Sequence, residues 1–242
     1  TLRWQSQKDA GMYDAVNKGF ATATGDVYAY INADDVYLPG AFEIVRRTFE
    51  KYAEIRWLKG ITAYTNPLSL FYRPGQCNLY DQRLIQRGVY GRDIYFIQQD
   101  SVFWRGDLWR EVGGIDTSLV NAGDYYLWLE FSKRTPLYSL NVPVSCFRHL
   151  DVQLTGDGSN YHREANRLSP SMPAWSFLLR VLYSPRLRLP HWLQYLVQCV
   201  VTGGRCCQYV DLDEGGMEPM LRRSRRHVWR RPPDRLVPGV KT

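Results

Sequence analysis

Two adjacent carboxylates, Asp34 and Asp35, follow a short run of apolar β-formers at residues 27–31. Side by side they repel each other unless a cation or a hydrogen-bond donor satisfies them. Hard oxygen ligands of this kind suit Mg2+ or Mn2+, which is commonly bound through one or two carboxylates together with substrate phosphates. An aspartate ahead of a helix also serves as its cap, and the pair alone does not separate the two roles.

The flanking elements are readable from periodicity. Tyr13, Val16, Phe20 and Ala23 recur at helical spacing, with Gly25 as a stop, and residues 27–31 follow as a buried strand. Residues 32–35 form an acidic loop. Pro39 opens a second helix whose inner face is Phe42, Val45, Phe49 and Tyr52. Residues 55–61 read as a strand, 64–95 as an irregular excursion, and 97–104 as extended. Asp107 heads a short helix stopped by Gly113 and Gly114, Asp124 heads another, and 137–142 and 144–147 are late strands. This alternation is the grammar of an α/β domain, in which ligands gather beyond the carboxyl ends of the strands. The acidic loop lies at such an end.

The text around the loop adds a second kind of information. Asp9, Gly11, Asp14, Ala15, Asn17, Lys18 and Gly19, then Ala23, Gly25 and Asp26, then Asn32, Asp34 and Asp35 stand in an order and spacing that resembles the family 2 glycosyltransferases of GT-A fold. A further block, Gln98 to Arg105, Gly113 to Asp116 and Asp124 to Trp128, is similar to the acceptor-side section of that family, and Arg148 with His149 to its strand-to-loop segment. The likeness covers roughly residues 4–157.

The resemblance implies a nucleotide-sugar-dependent transferase with an α/β, GT-A mixed sheet flanked by helices. It makes Asp124 the general base and Asp34 the main ligand of Mg2+ or Mn2+. Asn32 stands at the first position of the D-x-D type motif and Asp35 beside the ligand, while His149 is a candidate to complete the metal shell. Asp9, Gly11 and Asn17 would shape the donor side and Gln98 the sugar or acceptor pocket. A single base implies inversion at the anomeric carbon, with a saccharide or lipid-linked acceptor, in polysaccharide or glycoconjugate synthesis at the cell envelope. A lone Asp at a helix start is also a plain cap, and a lone His is also a surface residue. Tyr125, Tyr126, Trp104 and Trp128 offer flat faces for a sugar ring, although aromatics at such spacing also build cores.

The sequence departs from the family at Asn32 and, more seriously, at its start. The chain opens at Thr1 in what reads as mid-domain, so the strand–helix–strand unit that binds the nucleotide base is expected to be missing. An inactive or incomplete glycosyltransferase is therefore the first alternative.

Composition bounds the rest. In 242 residues, 45% are apolar, 14% aromatic and 23% charged, which excludes a disordered, collagenous or low-complexity chain. The net charge of +7 resides at the end: residues 221–242 hold eight basic residues and one acid, leaving 23 of each sign in 1–220. The expected organisation is a partial GT-A domain over 1–168, a helical extension over 169–220 and a basic, disordered tail over 221–242. Such a tail makes a membrane-surface module the second alternative, whereas base-stacking or groove-reading motifs are lacking and nucleic acid is not an expected partner. Five cysteines without metal or disulfide spacing point to a reducing cytosol, with peripheral contact at the inner face of a membrane.

Overall fold

In the computed structural model, Tyr13, Val16 and Phe20 lie on helix α1 (Met12–Ala21) and turn their rings and methyls toward the core. The structure describes residues 4, 6–73, 75–94, 96–150, 158–169, 202–216 and 218–224, together with 193, 196 and 200. Strand β1 (Val27–Tyr28) is shorter than the run 27–31. The chain then turns through Asn32, whose carbonyl accepts the Asp35 N–H at 3.1 Å, into β2 (Val36–Tyr37), a strand that the sequence does not announce. Helix α2 (Ala41–Lys51) starts after Pro39, at Gly40. It buries Ala41, Val45 and Phe49, but Phe42 points outward at 63% exposure, a correction to the expected inner face.

The centre is β3 (Trp57–Thr65), buried along almost its whole length as a strand covered on both faces must be. The excursion that follows is partly ordered, into β4 (Phe71–Arg73) and helix α3 (Gln82–Gln86), which Asp81 caps through the Leu84 N–H. A 3-10 turn (Gln99–Ser101) leads into β5 (Val102–Arg105), then come α4 (Gly106–Val112), α5 (Gly123–Ser132) and β6 (Tyr138–Arg148), a single strand running through Pro143 where two were expected. After α6 (Ser159–Leu168), β7 (Cys207–Leu212) and β8 (Pro219–Ser224) complete the sheet. The helical reading of 169–220 and the tail reading of 221–242 are thus corrected at 207–212 and 219–224. Backbone pairing with β6 outweighs a sequence in which alternation is weak. The remaining tail, from 225, and the part of the expected helical extension at 170–192 lie outside the described residues.

Among the described residues the sheet has eight strands in the order β1-β5-β3-β6-β7-β8, with β2 on β6 and β4 on β3. The β3–β6 and β6–β7 pairs are parallel and the others antiparallel. Strand periodicity separates two cores. On β5, Val102 and Trp104 face one side with Trp57, Leu127, Trp128 and Phe131, while Phe103 faces the other with Val45, Phe49, Leu58 and Leu140. The first core is aromatic: Trp57 stacks on Trp128 at 5.5 Å and meets Phe131 edge-on at the same distance. Trp104, Trp128 and Tyr125 are buried in these cores, so they are packing residues and not sugar platforms. A cavity of about 560 Å³ lies beside β1, walled by Val27, Ala29, Tyr37, Phe42, Phe49 and Phe103. No helix among the described residues is long and apolar enough to cross a membrane.

Candidate active site

The strand ends bring the acidic loop against β6. Asp35 is 7% exposed, and its Oδ1 accepts the Arg148 N–H at 3.0 Å, while Oδ2 is buried without a hydrogen-bond partner. Burial pushes this carboxyl up to about 7, with Asp100 and Asp34 adding to the rise and the Arg148 amide opposing it. An ionised oxygen without a donor in such a place is unstable unless a proton or cation reaches it. Asp34, half-buried, stands next to it. Two hard oxygen donors, one of them orphaned, fit a divalent ion that completes its shell with phosphate and water.

His149 follows β6. Its backbone N–H donates to the Thr65 carbonyl at 2.9 Å, and its ring stacks on Tyr64 at 5.9 Å with Phe147 edge-on at 5.2 Å. Among the described residues no three His, Cys, Asp or Glu side chains are grouped as a metal site. Gln98 belongs to the same corner, where its amide donates to the Tyr64 hydroxyl at 3.4 Å.

Beneath the loop lies a buried polar knot that the sequence reading did not single out. Asp100, 2% exposed, accepts the Ser145 hydroxyl at 2.5 Å, and Lys59, 5% exposed, is within electrostatic reach while its ammonium donates to the Gly60 carbonyl at 2.9 Å. Burial raises the Asp100 carboxyl and lowers the Lys59 ammonium to about 8, each partly offset by the other. The knot ties the turn after Gln98 to β3 and β6, and only the spatial meeting of those strands reveals it.

Asp124 occupies the first turn of α5 rather than the cap, which is Ala122; its Oδ1 accepts the Tyr125 N–H at 2.7 Å. Burial pushes its carboxyl up to about 6 against that hydrogen bond. Tyr13, Tyr30 and Tyr161 all feel its charge, and their hydroxyls are raised above the ordinary range, by burial first and by Asp124 second. Tyr30 leads into the acidic loop. Two residues before Asn32, its carbonyl accepts the Gln99 amide and, at 3.4 Å, the Tyr37 hydroxyl.

The donor-side expectations divide. Asp9 and Gly11 are exposed before α1, and the Asp9 carboxylate accepts the Gly11 N–H at 3.1 Å. Asn32 is exposed in the loop turn. The Asn17 amide donates to the Ile115 carbonyl at 2.8 Å and accepts the Ile115 N–H at 2.9 Å, a clamp that ties α1 to the loop after α4. Gly114, at φ 103°, lets that amide approach, since a Cβ there would stand 2.9 Å from Asn17 Oδ1.

A mixed sheet covered by helices on both faces, with an acidic loop at the strand ends, is the architecture of the GT-A fold. S. aureus TarS 1-349 in complex with UDP-GlcNAc superposes with a TM-score of 0.50 at 11% identity, over 80% of this chain and 52% of that one. TarS 1-349 without that ligand gives 0.43 at 10% identity, over 78% and 58%. Residues 1–108 match the glycosyl transferase family 2 model. The chain spans about half the length of TarS 1-349. A comparison with curated proteins returns no match.

Proposed function

We propose that this protein transfers a sugar from a nucleotide-diphosphate sugar to an acceptor hydroxyl, with inversion, in polysaccharide or glycoconjugate synthesis. The observation that carries the reading is the buried Asp35 oxygen left without a hydrogen-bond partner in the acidic loop, within a chain whose residues 1–108 match the glycosyl transferase family 2 model. Asp34 and Asp35 would hold Mg2+ or Mn2+, which when bound neutralises charge on a leaving diphosphate. Asp124, ionised above about pH 6, takes the proton of the attacking hydroxyl, a contribution of about 10² to 10⁴ in rate. The Tyr13, Tyr30 and Tyr161 side chains limit water around that carboxylate and keep its proton affinity near the working range. A single base favours single displacement and inversion. Asp9, Gly11 and Asn32 are placed on the donor side by this reading, and Gln98 near the acceptor.

TarS is described in complex with UDP-GlcNAc, which makes UDP-sugars the first donors to try. A panel of UDP-, GDP- and dTDP-sugars with Mn2+ or Mg2+, followed by nucleotide release, tests the proposal. Release from one donor class, dependent on Asp34 and Asp124, supports it; no release from any donor with a saccharide or lipid-linked acceptor present counts against it.

A further inference from the structure

Helix α5 presents Asp124 but begins without a cap of its own. Ala122 stands at the N-cap and has no side-chain acceptor, so the amides there would be left unsatisfied. The Ala122 amide and the two loop amides before it are held from another helix. The carboxylate of Glu164, on α6, accepts the Val120 N–H at 2.9 Å on one oxygen and the Asn121 and Ala122 N–H groups at 3.0 and 2.8 Å on the other. Burial works against the charge, but these three amides and Arg167 hold the Glu164 carboxyl below its ordinary range. The same helix brings Tyr161 edge-on to Tyr125 at 6.2 Å and within reach of Asp124. From the other side, the Tyr13 ring covers Gly123 at the start of α5. Three consecutive amides, Val120 to Ala122, are therefore held by one side chain from a distant element.

We propose that Glu164 is a positioning residue for Asp124, a cap in trans that fixes where α5 starts and so how its first-turn carboxylate is aimed. The proposal rests on Asp124 being the base. Removing the carboxylate leaves the loop at 120–122 without an acceptor at the positive end of the helix dipole, and the first turn frays. Misplacing a reacting group by about 1 Å can cost about 100-fold in rate.

The test uses the full chain and has readouts that do not need turnover. Hydrogen exchange in the unmodified protein must show the Val120, Asn121 and Ala122 amides protected although Val120 itself is exposed. Rapid exchange there overturns the proposal without any variant. In Glu164→Gln those amides must lose protection while the β3 and β6 amides keep theirs, and the Asp124 carboxyl, followed by carbon NMR, must fall from about 6 toward ordinary values. A fall in the Asp124 value with protection retained would mean that Glu164 acts by charge alone, and would also overturn it. Against whichever donor the unmodified chain turns over, Glu164→Gln should lower kcat at least tenfold with donor KM within about twofold. Full activity in Asp124→Asn would sink the base assignment instead, and leave the exchange result standing.

Discussion

The hydroxyl of Tyr30 lies within electrostatic reach of the Asp124 carboxylate, and the two are separated in the chain by every element from β2 to α4. Tyr30 leads directly into the acidic loop. The loop carboxylate Asp35 and the helix carboxylate Asp124 are each raised, by burial first.

The first prediction concerns stability. The Asp124 carboxyl is raised from an ordinary value of 3.8 to about 6, so the folded state binds the proton more tightly than the unfolded chain does. Ionisation therefore costs stability: the penalty is absent below about pH 4, grows between 4 and 6 and is complete above 6. Asp124→Asn should gain about 1–3 kcal/mol at pH 7.5 and little at pH 4. Urea titrations at the two pH values read this directly, and an equal effect at both would show that the group is not desolvated.

Gly123 precedes that aspartate for a steric reason. A Cβ there would lie 2.5 Å from the Tyr13 ring, which covers the start of α5. Gly123→Ala should destabilise the fold by about 1–3 kcal/mol in spite of the better helix propensity of alanine. Combining it with Tyr13→Ala should recover part of the loss. A stabilising Gly123→Ala, measured by thermal melting, would contradict the close approach.

The clamp at Asn17 separates structure from donor binding. Asn17→Ala removes both hydrogen bonds to Ile115 and should cost about 1–3 kcal/mol. Its affinity for a nucleotide sugar, taken by calorimetry at a temperature where the variant is folded, should match the unmodified chain. A large loss of affinity with unchanged stability would restore the donor-side role that its motif implies.

Asp34 and Asp35 bear on metal. Asp34→Ala should abolish Mn2+-dependent binding of UDP while leaving the melting curve intact, because Asp34 is half-buried and makes no hydrogen bond across the core. Asp35→Asn should weaken Mn2+ binding too, but its Oδ1 contact to the Arg148 amide survives in the asparagine. Metal titrations followed by calorimetry distinguish the two, and wild-type Mn2+ affinity in both would remove the loop from the metal account.

The parts of this architecture that were legible in the sequence are those written in short-range patterns. The α1 periodicity, the acidic loop and the helices around Asp107 and Asp124 follow from spacing and from Gly113, which takes a left-handed turn at φ 83°. What escaped depends on long-range pairing. Strands β7 and β8 take their conformation from β6, and β2 is only two residues that gain identity opposite Ser145 and Cys146. The aspartates and tryptophans show the same division. Trp104 and Trp128 carry no local sign that distinguishes a sugar platform from a core, whereas burial in the folded sheet does. Asn17 carried a motif but spends its amide on a loop 98 residues away. Glu164 gave one faint signal: an alanine at the start of the Asp124 helix, where a capping side chain would be expected.

The central claim is that Asp124 and the Asp34 loop serve one sugar-transfer site. It is tested most directly by nucleotide release from UDP-GlcNAc, with Mn2+ and a saccharide acceptor, for the full chain, Asp34→Ala and Asp124→Asn. The account predicts release by the full chain that rises through about pH 6 and falls at least about 100-fold in each variant while both remain folded. Release by Asp124→Asn equal to that of the unmodified chain, with the same pH dependence, would contradict it.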